Sequence, residues 1–308
     1  MASRRWVGEQ EIRGENIIRV FPRRTSMTPS DAYAFVGDPP LWRPPAREVH
    51  VSVTFTWDVE EGRRLAEAWA QYYPVVRLGG PALGSPADGF RPGRYVKPGV
   101  TFTTRGCNCE CPWCLVPERE GKLVEIEKFT PGHIVQDNNL LQASRRHNRR
   151  VFAMLRAQRN AAVLSGGLDA RLVDDEIVEE LRGLRIHQVF LAADTAAALR
   201  PLKRALGKLS FLPRRKLRVY VLIGYGGETL EEAEERLEAV WALGGMPFAQ
   251  LYQPADHWIA YGREWRQLAR IWSRPAAMKA LHEFSTSEHV ASSKGRYVSP
   301  LNLHWAGS

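Results

Sequence analysis

Cysteine is scarce in this chain, and no cysteine stands outside one short segment. The 308 residues include four cysteines, and all of them lie between Cys107 and Cys114. A disulfide to a distant part of the chain is therefore excluded, because no cysteine lies outside this segment. The grouping predicts thiol or metal chemistry within a single loop, in the reducing environment of the cytoplasm.

Long apolar runs are missing as well. No stretch approaches the roughly 20 apolar residues that a transmembrane helix needs. The N-terminus begins with a charged segment, Met1 to Trp6, but has no apolar core of a secretory signal. We therefore expect a cytoplasmic protein with no membrane partner. With 44% hydrophobic and 25% charged residues, the composition is that of an ordinary globular protein.

Acidic residues are outnumbered by basic ones. Lysine and arginine together number 43 against 34 acidic residues, which gives a formal net charge of +9. The densest basic run is Arg145–Arg150, and shorter runs follow at residues 203–204 and 214–216. Two interpretations stay open, namely solvated helix faces and loops, or contact with a nucleic acid or another anionic partner. No recognised nucleic-acid motif accompanies these runs, so charge alone does not decide between them.

The most informative segment is the run Gly-Cys-Asn-Cys-Glu-Cys-Pro-Trp-Cys at residues 106–114, here called the cysteine segment. Its spacing is Cys107-x3-Cys111-x2-Cys114 when Cys109 is omitted. Two kinds of site fit, an iron–sulfur cluster held by thiolates or a zinc knuckle with four sulfur ligands. Four ligands so close in sequence suit one zinc ion poorly, because structural zinc sites usually take two separated pairs. The spacing therefore favours iron and predicts that Cys109 is a bystander.

From residue 99 onward, short β-like runs alternate with helical stretches. This alternation predicts βαβ units with a parallel sheet, wound into a barrel or an open sheet. The predicted strands cover residues 100–104, 132–137, 161–167, 187–193, 217–223 and 247–252, and the predicted helices cover residues 140–160, 174–184, 196–207 and 230–243.

The N-terminal third is rich in proline and has its own pattern. A strand over 49–56, a helix over 60–71 and a strand over 75–78 predict one βαβ unit. We therefore expect an α/β unit over residues 1–98 and a larger α/β domain over 99–284. The polar segment 285–308 is predicted to be a weakly ordered tail.

The cysteine spacing and this order of elements resemble the radical S-adenosylmethionine (SAM) superfamily. Thr103 to Gly106 lead into the first cysteine and Pro112-Trp113 precede the last, as in the branch with cobalamin-domain and methylthiotransferase-like members. The resemblance implies that residues 99–284 form a partial (β/α)6 TIM-like barrel. It also implies that residues 1–98 are a small α/β, Rossmann-like remnant that serves as a cover or specificity unit.

The resemblance also implies the cofactors. Cys107, Cys111 and Cys114 are expected to hold a [4Fe–4S] cluster whose open iron binds SAM. One-electron reduction by an external donor of flavodoxin or ferredoxin type would give a 5′-deoxyadenosyl radical that abstracts hydrogen from a small molecule or a nucleic acid. Cobalamin is not expected, because the Asp-x-His-x-x-Gly signature is absent from residues 1–100.

The active sites of (β/α) barrels lie at the C-terminal ends of the strands, and this rule selects candidate SAM contacts. Trp113 is expected to pack near the adenine, and Gln136 and Asp137 are expected at the SAM amino group. Asp194, at the end of a later strand, is expected at the ribose hydroxyls. The alternatives are a core tryptophan at position 113 and helix caps at positions 136–137.

Two further strand ends complete the candidate set. Gly167 allows a close backbone approach to a ligand, and Arg171 is expected either at the SAM carboxylate or in an ion pair with Asp169. Ile223 and Gly224 end the fifth strand and are expected at the adenine by resemblance. No residue is assigned a catalytic role.

A competing hypothesis from another class is a non-catalytic zinc-binding adaptor that uses the Cys107–Cys114 knuckle. It accounts for the cysteines and for the positive charge. It leaves the polar residues at the strand ends, such as Asp194, without a role. The metal content of the purified protein separates the two hypotheses.

Overall fold

The computed structural model describes residues 16–83, 93 and 95–282. The chain divides into two compact units. The first is built from residues up to Gly166 with Gly183–Arg185 and Pro254–Trp258, and the second from Gly167–Arg182, Ile186–Gln253 and the residues from Ile259 onward. The tail predicted at residues 285–308 lies outside the described residues. Among the residues described, no helix is both long enough and apolar enough to cross a membrane.

A parallel four-stranded sheet opens the first unit. It contains β1 (Ile17–Phe21), β2 (Ala34–Val36), β3 (Glu48–Ser52) and β4 (Val76–Gly79) in the order β2-β1-β3-β4. Helix α1 (Val59–Ala70) packs against β3 and β4. The core between them is apolar because β-branched residues face a leucine and a tryptophan of the helix. Its fully or almost fully buried members are Ile18, Val20, Val49, Val51, Val53, Leu65 and Trp69.

This sheet is larger than the sequence pattern predicts. Strands β3 and β4 and helix α1 confirm the predicted βαβ unit, with shifted ends. The pattern missed β1 and β2, because a buried run as short as Ile17–Phe21 has no period that distinguishes a strand from a helix. The same compact unit continues past residue 98 through the cysteine segment to Gly166. The predicted boundary at residue 98 stays a prediction.

Short strands frame the cysteine segment in the rest of the first unit. The elements are β5 (Val100–Thr101), β6 (Thr104–Arg105), α2 (Val116–Glu120), β7 (Val124–Glu125), β8 (Ile134–Val135), α3 (Arg145–Arg156) and β9 (Ala162–Leu168). Strands β5, β8 and β9 pair in parallel, whereas β6 and β7 form an antiparallel pair. The helix predicted from residue 140 begins at Arg145, because Ser144 caps it by accepting the His147 N–H at 3.2 Å.

The second unit alternates helices and parallel strands. Its elements are α4 (Asp175–Arg182), β10 (Ile186–Ala192), α5 (Leu199–Lys208), β11 (Leu217–Ile223), α6 (Leu230–Ala242), β12 (Met246–Leu251) and α7 (Arg263–Ser273). Strand β11 lies between β10 and β12 and is parallel to both. Thr229 and Glu232 form a reciprocal capping box at the start of α6. The predicted α/β class with parallel strands is therefore confirmed.

Candidate metal centre in the cysteine segment

The cysteine segment lies in a loop that is closed at its base. It follows β6, and the chain returns through α2 to β7, which pairs with β6 at Thr104 and Glu125. The Cys107 N–H donates to the Gly121 carbonyl at 3.1 Å. Gly106 has a φ of +76°, and a Cβ at this position would lie 2.2 Å from the Lys122 carbonyl oxygen. Glycine is therefore required where the chain enters the cysteines.

Glu120 ties the entry of this loop to its exit. Its carboxylate pairs with Arg105, accepts the Gly106 N–H at 3.0 Å and accepts the Asn138 side-chain amide at 2.6 Å. The Arg105 and Glu120 side chains are only 17% and 22% exposed, so the pair is well shielded from water. One carboxylate therefore holds β6, the start of the cysteine segment and the residues after β8. Glu120 was missed by sequence reasoning, since nothing in its neighbourhood distinguishes it from other helical glutamates.

The four cysteines carry thiols, and all four are half-buried. Cys107 and Cys109 lie side by side, because the Cys109 N–H donates to Cys107 Sγ at 3.4 Å. Burial raises the pKa of the Cys107 thiol. The sequence predicts Cys109 to be a bystander, whereas the structure places it in contact with a predicted ligand of the metal.

Gln142 contacts both of these cysteines. Its Nε2 donates to Cys109 Sγ at 3.1 Å, and its Oε1 lies 3.6 Å from Cys107 Sγ. The same oxygen accepts the Asn108 N–H at 2.8 Å. Gln142 stands just before α3, so this side chain joins the cysteine segment to the start of that helix. Sequence reasoning did not select Gln142, because the contact spans more than thirty residues.

The thiols do not converge on one point in this structure. Within the described ranges, no three His, Cys, Asp or Glu side chains are arranged to hold a metal ion. The ligand set Cys107, Cys111 and Cys114 therefore stays a prediction. In donor chemistry the set fits an iron–sulfur cluster, because such clusters take thiolate ligands and the segment offers no imidazole.

Asp137 lies two residues after the end of β8 and is 1% exposed. Its carboxylate accepts the Thr103 N–H at 2.6 Å and the Thr103 hydroxyl. Burial raises the pKa of Asp137, and the hydrogen bonds from Thr103 and Thr104 oppose this shift. A Cβ on Gly166 would lie 1.7 Å from the Asp137 carbonyl oxygen, so β9 also passes very close. These contacts position the chain ahead of the cysteines, and the predicted contact of Asp137 with SAM stays a prediction.

Gln136 and Trp113 are the two other candidate SAM contacts of the first unit. Gln136 Nε2 donates to Ser165 Oγ at 2.6 Å, which links the end of β8 to the middle of β9. Trp113 is half-buried within the cysteine segment. The predicted SAM contacts of both residues stay predictions.

Gly167, near the end of β9, and Asp169 and Arg171, just after that strand, belong to the second unit. Gly167 has a φ of +98°. Arg171 and Asp169 form a bidentate ion pair, with Nε–Oδ1 and Nη2–Oδ2 distances of 2.9 and 2.6 Å. Of the two alternatives predicted for Arg171, the structure therefore shows the ion pair.

Asp194, Ile223 and Gly224 lie at the ends of β10 and β11 in the same unit. Asp194 Oδ1 accepts the Leu222 N–H at 2.9 Å, and burial raises the pKa of this carboxyl. Ile223 is fully buried, so its side chain belongs to the core. Gly224 donates its N–H to Glu228 Oε2 at 2.9 Å. The structure thus gives each of these residues a local partner, and their predicted SAM contacts stay predictions.

No protein-family model and no curated protein matches this sequence.

A cavity that sequence reasoning missed lies elsewhere in the first unit. Its volume is about 580 Å³, and Trp57 and Trp258 line it with Arg23, Glu60 and Asp256. The two indole rings meet edge to face at 5.4 Å, and Phe55 stacks on Trp57 at 4.8 Å. The cavity is open to solvent, because Trp57 and Trp258 are 41% and 59% exposed. The signal in the sequence is weak, because the two tryptophans are about two hundred residues apart.

Proposed function

We propose that this chain is a radical SAM enzyme with one [4Fe–4S] cluster on Cys107, Cys111 and Cys114. The observation that supports this most directly is the donor set, three cysteines at x3 and x2 spacing in one closed loop. When bound, the cluster and SAM together supply a 5′-deoxyadenosyl radical after one-electron reduction, and this radical abstracts hydrogen from an organic substrate.

The chain's own residues hold the cysteine segment in place. Glu120 and the Gly121 carbonyl close the base of the loop, and Gln142 joins it to the start of α3. The Cys109 N–H directed at Cys107 Sγ supplies a hydrogen bond to a ligand sulfur, a contact that tunes the reduction potential of such clusters. Asp137 anchors Thr103, which stands just ahead of the first cysteine.

The proposal keeps the finer expectations drawn from the resemblance. These are the partial (β/α)6 barrel, a cytoplasmic setting, a flavodoxin- or ferredoxin-type electron donor, and SAM contacts by the candidate residues named above. The substrate class within this proposal is a small molecule or a nucleic acid.

A second candidate function is the zinc-binding adaptor. The side chains of Cys107 and Cys109 contact each other, and this favours the adaptor, because a four-sulfur zinc site needs Cys109 as a ligand. The radical SAM proposal needs only Cys107, Cys111 and Cys114. The role of Cys109 therefore separates the two functions.

The test is metal analysis and visible spectroscopy of anaerobically purified and reconstituted protein, followed by dithionite and SAM. We expect about four irons per chain and release of 5′-deoxyadenosine. Substitution of Cys107, Cys111 or Cys114 by alanine is expected to remove most of the iron and all of the cleavage. The matched control Cys109→Ala is expected to keep both.

Two outcomes contradict the proposal. A colourless protein that holds one zinc ion per chain would establish the adaptor instead, if Cys109→Ala loses the zinc as the three other cysteine variants do. Cleavage that persists in Cys111→Ala would show that the predicted ligand set is wrong.

A further inference from the structure

Helix α3 divides sharply into a buried face and a basic face. His147, Asn148, Val151, Phe152 and Leu155 are buried. The basic face consists of the exposed residues Arg145, Arg146, Arg149, Arg150 and Arg156. At 100° per residue, the arginines cover an arc of about 140° on the side opposite the buried face.

The charged side chains that α3 contributes to the basic face are all positive. Helix α3 contains five arginines and no aspartate or glutamate. Arg150 lies over the Phe129 ring and donates to the Glu127 carbonyl, contacts that leave its charge in place. The helix itself therefore supplies no carboxylate that would repel a phosphate.

The dimensions of the basic face suit a phosphate backbone. From Arg145 to Arg156 the helix rises about 17 Å at 1.5 Å per residue. One nucleic-acid strand carries about five phosphates over that length. Guanidinium groups are strong donors to phosphate oxygens because they bind in a bidentate manner.

The basic face begins beside the cysteine segment. Gln142, which contacts Cys109 and Asn108, lies three residues before Arg145, and Ser144 caps the helix between them. A strand bound along α3 would therefore run toward the cysteines within the same compact unit.

We propose that the basic face of α3 binds the phosphate backbone of a nucleic acid. On the proposed radical SAM function, this makes a nucleic acid the substrate class of the enzyme. The phosphate contact itself requires neither the cluster nor SAM.

The test is fluorescence anisotropy of the full-length, reconstituted protein with a fluorescein-labelled DNA strand of about 20 nucleotides and with the matching RNA, over roughly 50 to 300 mM KCl. We expect the logarithm of the association constant to fall linearly with the logarithm of the KCl concentration. In Arg145→Gln/Arg149→Gln the slope is expected to shrink by about 1.5 and the affinity at low salt to fall about tenfold. Arg145→Lys/Arg149→Lys, which keeps the charge, is expected to restore most of the slope.

The matched control is Arg200→Gln/Arg204→Gln on α5. This helix is also basic, is free of acidic residues and exposes both arginines at the same i, i+4 spacing. The control removes the same net charge and is expected to change the affinity less than twofold. An equal loss in the control would overturn the proposal, because binding would then follow net charge and not the α3 surface.

Absence of binding by wild-type protein at the lowest salt would also overturn it. So would binding to vesicles of phosphatidylcholine and phosphatidylserine in the absence of nucleic-acid binding. Iron content and 5′-deoxyadenosine release are measured on the same preparation. If the wild-type protein binds nucleic acid but releases no 5′-deoxyadenosine, only the proposed function is contradicted. If it releases 5′-deoxyadenosine but binds no nucleic acid, only the nucleic-acid site is contradicted.

Discussion

Gln142 Nε2 donates to Cys109 Sγ over 3.1 Å. The donor stands just before α3 and the acceptor lies in the middle of the cysteine segment, so this hydrogen bond crosses the first unit between two stretches far apart in sequence. Gln142 thus fixes the position of the segment relative to the start of α3.

Substitution of Gln142 by leucine is expected to speed the reaction of Cys109 with Ellman's reagent, because the hydrogen bond that holds this half-buried thiol against the start of α3 is lost. The loss of one hydrogen bond, about 1 kcal/mol, makes local opening of the segment about fivefold more frequent. The measurement uses a background in which serine replaces the three other cysteines. Gln158→Leu is the control, because the Gln158 side chain donates to the Met154 carbonyl and not to sulfur. A rate unchanged by Gln142→Leu would contradict the hydrogen bond to Cys109.

Substitution of Glu120 by glutamine is expected to lower the free energy of unfolding by about 2 kcal/mol, because the charged acceptor of Arg105 and Gly106 is lost from a shielded site. Urea denaturation measures the change. Glu110→Gln is a control in the same loop, since Glu110 pairs with Lys122 where both side chains are at least 70% exposed. This control is expected to leave the urea midpoint unchanged. Equal effects of the two substitutions would show that Glu120 is not the anchor of the loop.

Substitution of Gly166 by alanine is expected to destabilise the protein by about 3 kcal/mol, because the new Cβ meets the Asp137 carbonyl oxygen at 1.7 Å. A Cβ added at Gly207 would have no heavy atom of another part of the protein within 4 Å. Since Gly207 lies in α5, Gly207→Ala is expected to stabilise by about 0.5 to 1 kcal/mol. The thermal denaturation midpoints of the two variants measure these changes and are expected to shift in opposite directions. A Gly166→Ala protein as stable as wild type would rule out the close approach of β8 and β9.

The fourth prediction concerns pH and His147, which is 1% exposed on the buried face of α3. Burial lowers the pKa of His147, an effect that Glu125 opposes and Arg150 reinforces. A depressed pKa of the folded state means that the unfolded chain binds the proton more readily. Stability is therefore fully present above the ordinary histidine pKa of about 6.5 and is lost as pH falls below it.

His147→Phe keeps the ring that packs edge to face against Phe129 and removes the titration. We expect the decrease in thermal midpoint between about pH 7.5 and pH 5 to be smaller in this variant than in wild type. His257→Phe is the control, because the His257 side chain is 63% exposed. An identical pH dependence in His147→Phe and wild type would show that His147 is not the group that titrates.

Local patterns were sufficient for most of the second unit. The apolar run Leu217–Ile223 was predicted as a strand and forms β11 over the same residues, because a central parallel strand is buried on both faces. The helix predicted over residues 230–243 likewise begins at Leu230 as α6, where Thr229 and Glu232 form its capping box. In the first unit the same approach predicted some elements too long and missed others. The strand predicted over residues 132–137 is only the two-residue β8, and the brief buried strand β1 was not predicted.

The candidate site was only partly readable from the sequence. Spacing identified Cys107, Cys111 and Cys114 as a donor set, because ligands from one loop must be close in sequence. It did not reveal Gln142 or Glu120, which reach the segment from other parts of the chain. For Arg171 the sequence left two partners open, and the structure shows the ion pair with Asp169.

The sequence by itself determined the α/β class, the grouping of all cysteines in one loop and the excess of arginine on α3. These depend on residue type and on local spacing, which no distant contact alters. Only the tertiary structure decided that Cys109 lies against Cys107, that Glu120 closes the loop and that the Asp137 carboxylate is buried against Thr103. The contacts of Glu120 and Asp137 join residues 14 and 34 positions apart, and they form only after packing of the core brings those segments together.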